Sequence, residues 1–278
     1  MQPVTRIGSV VCYGRRVNLS APFEAASRPP VLPPSAALFL DFDGTLVAIA
    51  SRPEAVVVGP WVVPTLQALH EQLDGALALI SGRPLAQIDA LLAPLRLPAA
   101  GVHGVERRDA DGRVRVQAGV PPAGVLGLVE QLVARHPGLR LERKPSALAL
   151  HYREAPQLAE LCASAVLAAM RPHTEEWTTL IGKCVIEVKP RRASKAHAVT
   201  DFLATPAFTG REPVFVGDDA TDEDGFSAVQ LAGGWGVKVG EGPSGARFRL
   251  ADPRAVQQWL ADSLAARPQS TAALKDPA

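Results

Sequence analysis

The stretch ALFLDFDG, residues 37–44, is an apolar run that closes on two aspartates and a glycine. A run this short and apolar, bounded by a turn residue, reads as a parallel strand buried on both faces. Asp41 and Asp43 are two apart, so in extended chain their side chains point the same way and can face one site. Gly44 allows a tight turn, and the loop behind it can offer backbone N–H groups and the Thr45 hydroxyl to an anion.

Beyond this strand the pattern alternates. Val63, Leu66, Leu69 and Leu73 recur at helical spacing, ALALI (76–80) reads as a second buried strand, Pro84 opens a helix, and AAGV (99–102) reads as a third strand. Such alternation predicts an α/β sheet with covering helices. It then breaks. ERRDADGRVRV (106–116) reads as a hairpin turning at Asp-Gly. Val125, Leu128, Val129, Leu132 and Val133 stripe one helix, followed by strands LRLER (139–143) and SALALHYR (146–153). A second helix, about 156–170, precedes strands WTTLI (177–181) and CVIEV (184–188). Helix–strand–strand thus occurs twice, predicting an antiparallel sheet with helices on one face and the other face free.

After Lys189 the α/β texture returns. A helix near 194–204, the strand PVFVG (213–217), a helix from 222, the strand WGVKV (235–239) and a last helix near 253–265 complete it. The fold class is α/β: a parallel core sheet over 35–117 and 190–266, interrupted by an α+β insert over 118–189. Residues 1–34, ending in RPPVLPP, are expected to be a linker or disordered leader, and 267–278 a frayed tail. The glycines of GGWGVKVGEGPSG (233–245) read as turns.

Composition narrows the class. In 278 residues, 29 Lys and Arg against 28 Asp and Glu leave a net charge of +1 with no long block of one sign, so no nucleic-acid partner is expected. Hydrophobic residues make up 47% of the chain, which excludes wholesale disorder. No apolar run approaches the ~18 residues of a membrane span, and no basic-then-apolar opening suggests a secretory signal. Cys12, Cys162 and Cys184 are scattered and form no CxxC pair, which points to a reducing, cytoplasmic setting.

GDDATDEDGF (217–226) places Asp218, Asp219, Asp222, Glu223 and Asp224 at the end of another predicted strand. Ligands of open α/β sheets bind beyond the carboxyl ends of strands, so both acidic clusters belong at one edge. One such aspartate would read as a solvated loop residue. Several converging carboxylates repel one another, and a hard divalent cation is the ordinary remedy, Mg²⁺ fitting oxygen ligands and phosphate best. Ser81, in LISGR, and Lys195, near a helix start, could each meet a phosphoryl oxygen at the same edge.

In that order DFDGTL (41–46), Ser81, Lys195 and GDDATDEDGF resemble the four motifs of the haloacid dehalogenase (HAD) superfamily of phosphotransferases. More narrowly, residues 36–265 resemble the trehalose-6-phosphate phosphatase family, through SGRPLAQI (81–88), GVHGVE (101–106), ERKPSALALHYR (142–153) and GKCVIEVKP (182–190). The chain departs from the family at Ala196, where glycine usually follows the lysine; Lys183 and Lys189 fit the motif order less well than Lys195. The resemblance implies a HAD-like Rossmannoid core with its first and fourth strands adjacent, putting Asp41 beside Asp218, and a mobile C2-type cap made of the insert.

The resemblance also implies roles. Asp41 is the nucleophile that forms an aspartyl-phosphate, and Asp43 the general acid and base. Mg²⁺ is held by Asp41, the Asp43 carbonyl and Asp218, with Asp222 a further ligand or anchor and Asp219 more distant. Thr45, Ser81 and Lys195 take phosphoryl oxygens. Glu142 and Lys144, sharing a strand face, and Glu187 meet sugar hydroxyls; the alternative for each is a solvated charge on an exposed sheet. His103 and Gly104 line the core side of the cleft, His103 being equally readable as a structural hydrogen-bonder. Arg83 and Arg153 are further candidates for the pocket. The implied reaction is Mg²⁺-dependent hydrolysis of trehalose 6-phosphate by a monomer without nucleic-acid or membrane partners. Its rivals are a sucrose-phosphate or mannosyl-phosphoglycerate phosphatase, a phosphomutase (which usually has a helical cap), and a receiver-like phosphate-binding module.

Overall fold

A strand buried on both faces needs apolar side chains on both, and β1 (Ala36–Leu40) has them at every position. The computed structural model describes residues 27–50, 55–116, 119–144, 146–182 and 184–266. After β1 come α1 (Val62–Gln72), β2 (Leu77–Ile80), α2 (Leu85–Leu92), β3 (Ala99–Gly101), β4 (Glu106–Arg108) and β5 (Val114–Val116). The insert supplies α3 (Ala123–Arg135), β6 (Arg140–Lys144), β7 (Ala147–His151), α4 (Ala159–Met170), β8 (Trp177–Gly182) and β9 (Val185–Pro190). The chain closes with α5 (Lys195–Leu203), β10 (Glu212–Gly217), α6 (Asp222–Leu231), β11 (Trp235–Val239), β12 (Phe248–Leu250) and α7 (Pro253–Ala265).

The larger sheet has the order β12-β11-β10-β1-β2-β3-β4-β5. It is parallel from β12 to β3, and the β4–β5 hairpin adds two antiparallel strands at the far edge. The chain winds outward from β1 through β2 and β3, then returns to β1's other side with β10 and winds the opposite way. The reversal opens a crevice beyond the carboxyl ends of β1 and β10, the ordinary ligand position in such sheets. α1 packs against α7, and α5 against α6. Every strand and helix expected between 36 and 265 is present. β12 is additional: three residues with an arginine at the centre carry no periodic signal, and only pairing with β11 makes them a strand.

The insert forms its own antiparallel sheet, β6-β7-β9-β8, with β9 running on to Pro190. Alternation sorts its faces. Leu148, Leu150, Ile186 and Val188 join Val125 and Val129 of α3 and Cys162 and Val166 of α4 in a separate apolar cluster. The other face carries Glu142, Ala149, Glu187 and Leu180 in one register row.

The proline-rich stretch differs from expectation. Residues 28–34, read as the end of a leader, dock on α7. Leu32 is buried and its N–H donates to Ser263 Oγ at 3.1 Å; Trp259 Nε1 donates to Pro30 O at 2.8 Å; Arg28 pairs with Asp262 at 2.7 Å. A buried indole N–H needs an acceptor, and a proline-rich segment offers carbonyls while carrying few donors of its own. Residues 1–26, Cys12 among them, and the expected tail 267–278 lie outside the described residues. Among the described residues Cys162 and Cys184 are free thiols, and no helix is long and apolar enough to cross a membrane.

Candidate active site

Asp41 extends β1 by one more ladder bond, its N–H donating to Val216 O at 2.9 Å, and its side chain is buried. The chain then turns sharply, with Gly44 at φ +81° and its N–H on Val47 O at 2.8 Å. A Cβ at Gly44 would stand 2.1 Å from Asp218 Oδ2, so only glycine lets the loop after β1 touch the loop after β10. Gly217 does the same for Asp222, whose Cγ would lie 2.2 Å from an added Cβ. Asp222 Oδ2 accepts the N–H groups of Asp218 and Asp219, both at 3.0 Å. As a result Asp41, Asp218 and Asp222 each bring one carboxylate oxygen within 4.8 Å of the others.

Lys195 opens α5 behind the Ser194 cap and reaches into this cluster, its Nζ 2.8 Å from Asp41 Oδ1 and 2.6 Å from Asp222 Oδ1. Burial would depress its proton affinity, but the two carboxylates outweigh burial and hold it well above the ordinary lysine range. Burial pushes the Asp41 carboxyl up to about 7, with Lys195 opposing and Asp218 adding. Asp222 is likewise pushed up to about 7, by burial and by Asp41. Asp218 reaches about 6 through burial, Asp222 and Asp219, with Lys238 opposing. Asp219 goes the other way: burial would raise it, yet Lys195 and the Thr221 hydroxyl and N–H hold it below the usual carboxylate range. One ammonium among two buried carboxylates and a half-buried third leaves negative charge uncompensated. A hard, oxygen-preferring cation fits that donor set.

Thr45 Oγ1 lies 3.4 Å from Asp41 Oδ2, and Ser81, buried at the end of β2, accepts the Arg83 N–H at 3.1 Å. Thr45 thus touches the cluster, and Ser81 follows β2, the strand beside β1. Arg83, read as a candidate for the sugar pocket, meets the loop after β1. Its guanidinium forks onto Asp43, Nε to Oδ2 at 2.6 Å and Nη2 to Oδ1 at 2.8 Å, and lies over the Phe42 ring at 5.9 Å. Sequence spacing could not reveal this pairing, since the partners are 40 residues apart on different loops.

His103 sits at φ +55° with its ring against Gly82, where a Cβ would come within 2.9 Å. Burial, then Lys189 and Lys195, push the imidazole down to about 4, so it is neutral at physiological pH; its buried Nδ1 has no hydrogen-bond partner among the described residues. It borders a cavity of about 430 Å³ between the two sheets, with Thr178, Leu180 and Lys189 on the insert side and Lys195, Thr221 and Asp224 on the core side. Gly104 is buried, at φ +102°, with an added Cβ 3.2 Å from Ser194 O; its lack of a side chain lets this loop approach α5. Glu187 is close enough to act on the charge of His103. Glu142 shares the register row of Glu187 and bonds His151 Nε2 at 2.9 Å, within the insert. Lys144 stands opposite Ala147 on β6, and Arg153 is exposed beyond β7. Sequence reasoning passed over Lys238, although a single lysine inside the apolar strand WGVKV is an anomaly that asks for a partner.

A family model described as trehalose-phosphatase matches residues 39–254. The trehalose-6-phosphate phosphatase of Escherichia coli (strain K12) is 44% identical over 243 residues, covering 85% of this chain and 90% of that protein. Among solved structures, the Aspergillus fumigatus trehalose-6-phosphate phosphatase superposes with a TM-score of 0.69 at 26% identity, covering 86% of this chain and 99% of that one. A haloacid dehalogenase-like hydrolase from Bacteroides thetaiotaomicron shares the fold, with a TM-score of 0.60 at 16% identity over 81% of this chain and 98% of that one.

Proposed function

The chain belongs to the trehalose-phosphatase family, and from that premise we propose that it hydrolyses trehalose 6-phosphate to trehalose and phosphate through a phosphorylated Asp41. The observation that carries the reading is the convergence of Asp41, Asp218 and Asp222 around Lys195 at the sheet's reversal point. Asp41, Asp218, Asp222 and the Asp43 carbonyl would hold Mg²⁺, whose charge lets an anionic nucleophile meet an anionic phosphate.

Asp41 attacks phosphorus, forming the aspartyl P–O bond as the bond to the sugar oxygen breaks. Asp43, protonated as substrate enters, gives that proton to the departing sugar oxygen and becomes the carboxylate that Arg83 holds. It then takes a proton from the water that attacks the acyl phosphate, which frees Asp41 and releases phosphate. Lys195, Thr45 and Ser81 hold the phosphoryl oxygens as charge shifts among them. Arg83 keeps the Asp43 carboxylate in one orientation, consistent with its two hydrogen bonds there. The cap, residues 118–189, closes over the core at 35–117 and 190–266. Glu142, Lys144 and Glu187 then bind sugar hydroxyls, and neutral His103 faces them from the core. In this reading the enzyme works as a cytoplasmic monomer.

Phosphate release is to be measured on trehalose 6-phosphate, glucose 6-phosphate and sucrose 6-phosphate. A marked preference for the first is expected; equal turnover on all three would assign another sugar phosphate. Asp41→Asn is expected to abolish release, and turnover surviving in it would remove Asp41 from the nucleophile's place.

A further inference from the structure

Lys238 is a buried lysine on β11 with no part in the proposed reaction steps. Burying an ammonium is costly unless hydrogen bonds or opposite charge compensate it. Here the Nζ hydrogen bonds run to two carbonyls, Asp218 O and Val239 O, the latter at 3.0 Å. Register explains the reach: Lys238 lies directly opposite Gly217, the residue before Asp218, and opposite Arg249 on β12. Arg249 repeats the arrangement on the next loop, its guanidinium donating to Gly240 O and to Gly242 O at 2.8 Å. Two neighbouring cations thus tie down carbonyls of the loops that follow β10 and β11.

The consequence falls on Asp218. Its N–H donates to Asp222 Oδ2 at 3.0 Å and its C=O accepts from Lys238, so both polar groups of its backbone are engaged. Only the carboxylate remains to meet those of Asp41 and Asp222. We propose that Lys238 is a positioning residue of the cation site, orienting the Asp218 peptide so that its carboxylate joins the other two. This rests on the reading of that cluster as a cation site. Two effects of Lys238 oppose each other. Its positive charge repels a dication, so charge alone predicts tighter metal binding when it is removed. Its hold on the peptide predicts weaker binding, and partners that orient metal ligands typically account for ~10–100-fold in affinity.

The test is metal binding without substrate, by calorimetry with Mg²⁺ and by electron paramagnetic resonance with Mn²⁺, on the full chain carrying Lys238→Met or Lys238→Gln. Lys238→Met is expected to bind about 10–100-fold more weakly. Lys238→Gln, whose amide can still donate to one carbonyl, should lose less. Unchanged or tighter binding in Lys238→Met overturns the proposal, even if its metal-free Tm falls, because a merely structural lysine would lower Tm and leave the dissociation constant alone. Should Lys238→Met fail to fold, Lys238→Gln decides: several-fold weaker binding supports the proposal and wild-type binding overturns it. Asp218→Asn separates the two layers. If it abolishes binding while the Lys238 variants bind normally, Lys238 alone is wrong; if it binds normally, the cation site itself is misread and both fall.

Discussion

Arg83→Met removes a guanidinium that makes two hydrogen bonds to Asp43, at 2.6 and 2.8 Å, while keeping much of the apolar stem against Phe42. The arginine side chain is 10% exposed and the aspartate 35%, so the pair lies between two regimes. Breaking a buried pair costs ~3–5 kcal/mol and losing an exposed one ~0–1 kcal/mol. Because Asp43 can regain water, a loss of about 1–2 kcal/mol in folding stability is expected, near the exposed end of that range. The effect on turnover is separate. Positioned acid–base groups contribute typically ~10²–10⁴-fold, and a carboxylate free to rotate keeps only part of that. We therefore expect kcat to fall about 10–100-fold, roughly 1.4–2.7 kcal/mol at 1.36 kcal/mol per tenfold. Phosphate release by Arg83→Met, Asp43→Asn and the double variant completes a cycle. If Arg83 acts through Asp43, the double variant turns over like Asp43→Asn within about two- to threefold, inside the scatter of such cycles. Losses that multiply, with KM raised in both backgrounds, would refute this reasoning and return Arg83 to the sugar.

Two further outcomes test the cluster. The carboxyls of Asp41, Asp218 and Asp222, pushed up to about 7, 6 and 7, bind protons in the folded metal-free protein that they release on unfolding. Raised folded values add stability at low pH that is lost as pH rises through them, so Tm in EDTA should fall from pH 6 to 8 and excess Mg²⁺ should flatten the fall. His103, pushed down to about 4, has the opposite sign and should offset only part of the carboxyls' gain below pH 6.5, one proton against three. A flat EDTA profile between pH 6 and 8 would contradict the cluster's electrostatics. Gly44→Ala places a methyl 2.1 Å from Asp218 Oδ2 at φ +81°, so calorimetry should show metal binding lost and turnover at least ~100-fold lower, with backbone strain of ~1–3 kcal/mol. Near-normal metal binding in that variant would count against the contact between the two loops.

Burial writes itself into local sequence, which is why so much was legible before any coordinates. A strand covered on both faces is mostly apolar, so β1, β2, β10 and β11 announce themselves within four to six residues, with Lys238 the exception in β11. The carboxylates that follow β1 and β10 stand out for the same reason, as charge against an apolar background. Motif order then tied Ser81 and Lys195 to the same edge; Lys195 reaches Asp41 and Asp222, and Ser81 follows β2, the neighbour of β1. The helix–strand–strand insert was readable because its amphipathic stripes are also local.

Partnership is not written locally, and there the tertiary structure alone decided. That Arg83 serves Asp43, that residues 28–34 pack on α7, that β12 is a strand at all, and that Lys238 ends on the Asp218 carbonyl each depend on what another segment offers. A guanidinium, an indole N–H or a buried ammonium states only that it needs an acceptor. Which acceptor it finds is settled by strand order and register, after the chain has folded.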